Sequence, residues 1–176
     1  ISGEVDIEDL IPQEECVLTM TNFGYVKRQK TDDYHQQKRG GRGVNGMNRR
    51  DEDVATEIFV TGSHDYVMFF TDLGRVYRLK CYEVPEGART SKGMNIANLL
   101  PIAQDERVTS MIRVPKLDED GYLVMVTRRG VIKRTPLSAF QTTRKGGVIA
   151  IDLDEGDELC WVRLTNGSDD LLVATK

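Results

Sequence analysis

No apolar run in this chain of 176 residues approaches the ~20 that a spanning helix needs, so no membrane segment and no membrane partner are expected. Cysteine is scarce: Cys16, Cys81 and Cys160 lie far apart and form no C-x-x-C pair. An odd count without metal spacing points to buried or free thiols in a reducing compartment. The two histidines, His35 and His64, have no Cys, His or Asp cluster beside them, so no metal-binding residues are expected. Aromatics make up only 7% and do not alternate with cations, which counts against a single-strand binder that stacks bases. No nucleophile–base constellation is present, so the expected catalytic and cofactor-binding sets are both empty. No segment keeps a 3.6-residue period over three turns. The chain opens on Ile-Ser-Gly-Glu with six acids in its first fifteen residues and shows no signal-peptide pattern. The lack of an initiator Met is read as the mark of a fragment.

Net charge is −4 and the pI near 5.3, which on average argues against a polyanion partner. The average hides a segregation. Residues 21–50 carry eight Lys/Arg against Asp32 and Asp33, and residues 128–146 carry six Lys/Arg and no acid. The acids gather at 4–15, 105–120 and 152–158. Local fields, more than net charge, decide where a polyanion docks.

The chain repeats itself. Val17-Leu-Thr-Met-Thr-Asn-Phe-Gly24 aligns with Val67-Met-Phe-Phe-Thr-Asp-Leu-Gly74 and with Leu123-Val-Met-Val-Thr-Arg-Arg-Gly130. In each, an apolar β-type run leads through Thr and two turn residues to Gly, and an alternating apolar/basic run follows. A cationic glycine loop comes next, at Arg39–Gly43, Arg89–Gly93 and Arg144–Gly147. Short apolar strands are then expected over Met94–Leu100 and Val148–Leu153. After an acidic turn, further strands are expected over Ala55–Val60, Val108–Val114 and Leu159–Leu164. About four strands per unit, with units at 15–65, 66–120, 121–169 and a fourth beginning at 170–176, match propeller-like blades. The expected fold is all-β: about three blades and the start of a fourth, too few to close a ring.

Each unit places cations at matching positions. On the strand after the turn these are Lys27, Arg28 and Lys30, then Arg75, Arg78 and Lys80, then Lys133 and Arg134. In and beyond the glycine loop they are Lys38, Arg39, Arg42, Arg49 and Arg50, then Arg89 and Lys92, then Arg144 and Lys145. Edge-strand guarding against aggregation explains one cation per strand. It does not explain a second cluster beside glycine in every unit. The pattern predicts a basic stripe that runs from blade to blade and grips double-stranded DNA by its phosphates. The densest loop is Gln37-Lys38-Arg39-Gly40-Gly41-Arg42-Gly43, where glycines let N–H groups approach an anion and arginines offer planar forks. With no recognition helix and no zinc finger, sequence-independent binding is expected.

These residues closely resemble the C-terminal domain of the bacterial DNA gyrase A subunit. Gln37 to Gly43 matches that family's Q-R-R-G-G-R-G box, with Lys38 as the one departure; lysine keeps the charge but loses the bidentate fork. Ile7-Glu-Asp-Leu-Ile-Pro12, Tyr25-Val-Lys-Arg28, Gly74-Arg-Val-Tyr77 and Asn98–Arg107 fit the family as well. The resemblance implies a β-pinwheel, a six-bladed propeller-like disc in which blades exchange strands. It also implies positive wrapping of DNA around a basic rim, which enables ATP-dependent negative supercoiling. The implied partners are duplex DNA, the gyrase A N-terminal region and the gyrase B subunit in an A2B2 enzyme, in a cytoplasmic, nucleoid-associated setting. ATP and Mg belong to the complete enzyme, and no cofactor is implied for this chain. The nearest alternative is the topoisomerase IV A-subunit domain, which shares the pinwheel but typically lacks an intact box. A propeller acting as a protein-interaction scaffold is the rival of another class.

Overall fold

A computed structural model describes residues 7–34, 54–88, 90–114, 120–141 and 146–165. The architecture is all-β. After a one-turn helix, α1 (Ile7–Leu10), come β1 (Glu15–Thr21), β2 (Tyr25–Lys30), β3 (Ala55–Gly62), β4 (Tyr66–Thr71), β5 (Arg75–Lys80) and β6 (Met94–Asn95). Then follow β7 (Val108–Val114), β8 (Tyr122–Thr127), β9 (Ile132–Pro136), β10 (Val148–Ile149) and β11 (Leu159–Thr165). Three sheets result, ordered β3-β1-β2-β6, β10-β5-β4-β7 and β11-β8-β9. Among the described residues no helix is long and apolar enough to cross a membrane.

One hairpin cell is built three times. Gly24, Gly74 and Gly130 take φ of 86°, 79° and 89°, a left-handed turn that glycine alone adopts without penalty. Their N–H groups donate to Thr21 O, Thr71 O and Thr127 O at 3.0 Å. The same threonines accept through Oγ1 from the N–H of Tyr25 (3.1 Å), Arg75 (3.4 Å) and Val131 (3.1 Å). This explains why Thr stands at that position in every repeat. The third strand is tied to the turn as well: Asn22, Asp72 and Arg128 N–H donate to Val54 O, Arg107 O and Glu158 O at 2.8–2.9 Å.

The acids before the third strand brace this cell from inside. Glu106, buried, accepts from Thr71 Oγ1 at 2.6 Å, Tyr77 Oη at 3.0 Å and Ala103 N–H at 2.9 Å. Burial, with the Glu106 carboxylate, pushes the Tyr77 hydroxyl up against the opposing pull of Arg75. In the third repeat Asp157 takes the same place. Burial would raise its carboxyl, but hydrogen bonds from Thr127 and from the N–H groups of Arg129 and Glu158 outweigh it and hold it low.

The fourth strand of a sheet comes from the following repeat. β6 pairs with β2 through Tyr25↔Asn95 and Val26↔Met94, and β10 pairs with β5 through Val76↔Val148 and Arg75↔Ile149. Ile96 N–H then donates to Gly24 O at 2.8 Å, and Ala150 and Ile151 N–H donate to Gly74 O at 2.8 and 3.2 Å. These strands are two residues long, shorter than the runs expected over Met94–Leu100 and Val148–Leu153. Asn95 explains the first: its side chain accepts from Ala97 N–H at 3.0 Å and starts the 3-10 turn Ile96–Asn98. The third sheet holds three strands among the described residues; Gly130 faces open space and β9 is mostly exposed.

By packing, the chain divides into residues 1–65 with 80–99, and residues 66–79 with 100–176. In the first unit Val17, Leu18, Met20 and Val26 form the interior. In the second, β11 lies against β7 and β4, and the core joins Met68, Phe70, Leu123, Met125, Phe140 and Leu159. β4 and β8 are buried on both faces along nearly their whole length. A continuous apolar run is what such an interior position requires.

Replacing Thr71 with Val should cost about 1–3 kcal/mol, because Glu106 and the Arg75 N–H each lose a partner. Urea unfolding of the full chain measures it, and an unchanged midpoint would remove the strut. Cys16 and Cys81 are buried and Cys160 is exposed. Burial, reinforced by neighbouring Cys16, pushes the Cys81 thiol up to about 12. A thiol-reactive chromophore should titrate one group in the native protein and all three only after denaturation. Rapid native reaction of all three would contradict this burial.

Candidate nucleic-acid interface

The pleat separates neighbouring cations. Lys27 and Arg28 project from opposite faces of β2, as do Lys133 and Arg134 of β9. Lys30, Arg75, Lys92, Lys133 and Arg134 are exposed; Lys27, Arg28, Arg78 and Lys80 are half-buried. Gln37, Lys38, Arg39, Gly40, Gly41, Arg42, Gly43, Arg49, Arg50, Arg89, Arg144 and Lys145 lie outside the described residues.

In the first unit three of the cations proposed from sequence hold structure. Arg28 Nε donates to Val84 O at 2.9 Å, while its backbone pairs with the 85–87 segment on both sides. Lys27 Nζ reaches Ser91 O at 3.1 Å and Ala88 O at 3.5 Å, and burial pushes its pKa down. Lys80 Nζ pairs with Glu8 Oε1 at 3.0 Å and donates to His64 O at 3.1 Å. Glu8 also faces His64 Nδ1 at 3.3 Å, while His64 Nε2 lies 2.8 Å from Ile11 O. Hydrogen bonds from Lys80 and then His64 hold the Glu8 carboxyl below its ordinary value. The contact is thus intact above the ordinary carboxylate range and loosens as pH falls through the lowered value. Lys80 is consequently a neutralised cation that fastens α1, and not an open one. Lys92 remains exposed, with Nζ 5.9 Å from the centre of the Tyr25 ring.

In the second unit two arginines lie over tyrosine rings. Arg78 Cζ lies 4.6 Å from the Tyr66 ring centre and Arg134 Cζ lies 4.5 Å from that of Tyr122. Each contact contributes about 0.5–1 kcal/mol at a surface. The N–H groups along the edge of a stacked guanidinium remain available for a bidentate anion contact. Arg78 uses one of them on Gln141 O at 3.4 Å. The tyrosine platforms escaped the sequence reading, which followed only the cations. A signal was present: each Tyr precedes its Arg by twelve residues, the spacing that brings them together across a hairpin. Cys16 stands at the matching place before Arg28, which turns to Val84 O instead. Among the described residues no cluster of three or more His, Cys, Asp or Glu is placed to hold a metal ion.

A profile of the family described as "DNA gyrase C-terminal domain, beta-propeller" matches three successive stretches, residues 17–61, 65–115 and 121–166. The DNA gyrase A subunit of Halalkalibacterium halodurans is 50% identical over 169 residues, 96% of this chain and 20% of that protein. The chain spans about a fifth of the length of the curated relatives it matches. Among solved structures, a C-terminal domain of DNA topoisomerase IV aligns with a TM-score of 0.75 at 28% identity, over 89% of this chain and 47% of that one. A DNA gyrase A C-terminal domain aligns with a TM-score of 0.62 at 27% identity, over 86% and 48%. Three family matches in tandem, each holding one hairpin cell with its turn glycine, leave one assignment: the chain belongs to the DNA gyrase C-terminal domain family of β-propellers.

Proposed function

We propose that this chain binds duplex DNA through its phosphates, independently of base sequence, and wraps it in a positive sense. Wrapping would let the complete gyrase, an A2B2 assembly with gyrase B, introduce negative supercoils at the expense of ATP. The observation that carries this reading is the threefold family match over a chain that repeats a cationic glycine loop in each unit. Exposed Lys30, Arg75, Lys92, Lys133 and Arg134 supply charges without a buried ion-pair partner's desolvation cost, and stacked Arg78 and Arg134 supply oriented forks. Bending 20–30 base pairs by 40–90° costs on the order of 1–6 kcal/mol, which several repeats acting together can offset and one loop cannot. In this reading the chain carries no catalytic group, and ATP and Mg act elsewhere in the assembly.

The topoisomerase IV reading has one observation in its favour, the higher of the two TM-scores. Identity to the two solved domains is almost equal, so the residues aligned do not separate them. Gln37–Gly43 favours gyrase. Replacing Arg39 and Arg42 together with Ala should abolish supercoiling by the complete enzyme and spare relaxation. Equal loss of both activities would rule out wrapping as the role of this loop. Duplex affinity should fall steeply with salt, by a slope of about 0.9 per phosphate neutralised, and should be the same for unrelated sequences. An affinity that does not change between low and moderate salt would sink the phosphate-binding reading.

A further inference from the structure

Lys27 sits three residues after the turn glycine, among the cations that sequence alone assigns to DNA. Its surroundings point elsewhere. The Nζ group donates to two carbonyls of the following repeat's loop, Ser91 O at 3.1 Å and Ala88 O at 3.5 Å. The stem of Lys27 also shapes that loop. A Cβ on Gly87 would stand 2.9 Å from Lys27 Cβ, and one on Gly93 would stand at the same distance while colliding with Val26 O. Real side chains do not pack so closely, so the close approach of Val26 and Lys27, with Ser91 Oγ 2.8 Å from a Cβ on Gly87, requires glycine at both positions. Gly93 has φ 89°, which lets the loop turn directly into β6. The loop so held carries Lys92 and, outside the described residues, Arg89.

The next repeat keeps the position and changes the residue. Tyr77 stands three residues after Gly74, and a Cβ on Gly147, at φ 80°, would stand 2.5 Å from Tyr77 Cε1. Gly147 corresponds to Gly93. An ammonium in one repeat and a phenol ring in the next do the same thing: each seats the glycine end of the following cationic loop. A phosphate ligand could not change from Lys to Tyr and keep its function, whereas a seat can.

We propose that Lys27 is a positioning residue, which sets the geometry of the 87–93 loop so that the loop's own cations meet phosphate. The functional half of this proposal rests on the duplex-binding reading above; the structural half does not. Lys27→Met retains the stem that Gly87 and Gly93 require and removes only the ammonium. In the intact protein without DNA, amide exchange over residues 87–93 should become about tenfold faster in Lys27→Met, as loss of a charge-assisted hydrogen bond implies, and should recover in Lys27→Arg. Duplex affinity should fall in Lys27→Met, and that loss should disappear when Arg89 and Lys92 are already Ala, the mark of a shared route. Unchanged loop exchange in Lys27→Met would overturn the proposal whatever the DNA result. Losses that add fully to those of the loop variant would overturn it too, since Lys27 would then be contacting phosphate itself. Faster exchange in a protein none of whose variants binds duplex would keep the seat and remove the duplex-binding reading instead.

Discussion

The hydrogen bonds from Ile96 to Gly24 O and from Ala150 to Gly74 O join each sheet to the repeat after it. Both carbonyls belong to the turn glycine, so the left-handed turn that closes a hairpin also presents the acceptor on which the next repeat docks. A β-carbon on Gly74 would stand 2.5 Å from Ile151 O. Residue 74 must therefore be glycine for two reasons, its φ and the segment that crosses it. Once that contact forms, the loop leading into β6 or β10 has a fixed end. Gly93 and Gly147, which end two of the cationic glycine loops, directly precede β6 and β10, so the closing of these two sheets fixes where those loops end.

A net charge of −4 does not by itself exclude the proposed polyanion partner, because several of the acids serve the fold. Glu106 and Asp157 face inward and hold turn threonines, Asp72 accepts from Arg107 N–H, and Glu8 neutralises Lys80. An acid engaged by N–H and O–H donors or by an ammonium projects less field into solvent than its formal charge implies. Lys30, Arg75, Lys92, Lys133 and Arg134 are exposed instead. Formal charge totals therefore mislead wherever one sign is used inside and the other outside.

Much of the fold was legible because it repeats. Thr and Gly at fixed spacing located all three hairpins, and the apolar runs located β1, β4 and β8. The lengths of β6 and β10 were not legible, because Asn95 capping and the bonds to Gly24 O and Gly74 O depend on how segments distant in sequence meet. The cations were legible in the sequence, but which of them hold structure was not. Lys27, Arg28 and Lys80 look like their exposed counterparts until their partners are known: Ser91 O, Val84 O and Glu8. Repetition also hides cost. Gln29 Nε2 and Thr135 Oγ1 are buried without a hydrogen-bond partner among the described residues, at the position where the second repeat has buried Leu79. A buried polar atom without a partner costs about 1–3 kcal/mol. The second repeat avoids this penalty, and it also carries the fully bonded Glu106 strut, so its hairpin is the better stabilised of the three.

The division between cell and loop also bears on which relative this chain resembles in function. Glycine turn and threonine acceptor in three repeats, and inward acid and exchanged strand in two, are what the sheets of this chain are built on. Solved gyrase and topoisomerase IV domains accordingly align with this chain at nearly equal identity, 27% and 28%. Residues that every such sheet requires cannot distinguish one use of the sheet from another. Discrimination must come from residues outside the cell, and Gln37–Gly43 lies in sequence between β2 and β3, outside the described residues. That run holds three cations and three glycines in seven residues. That density of charge is the feature on which the proposed preference for a gyrase-type role rests.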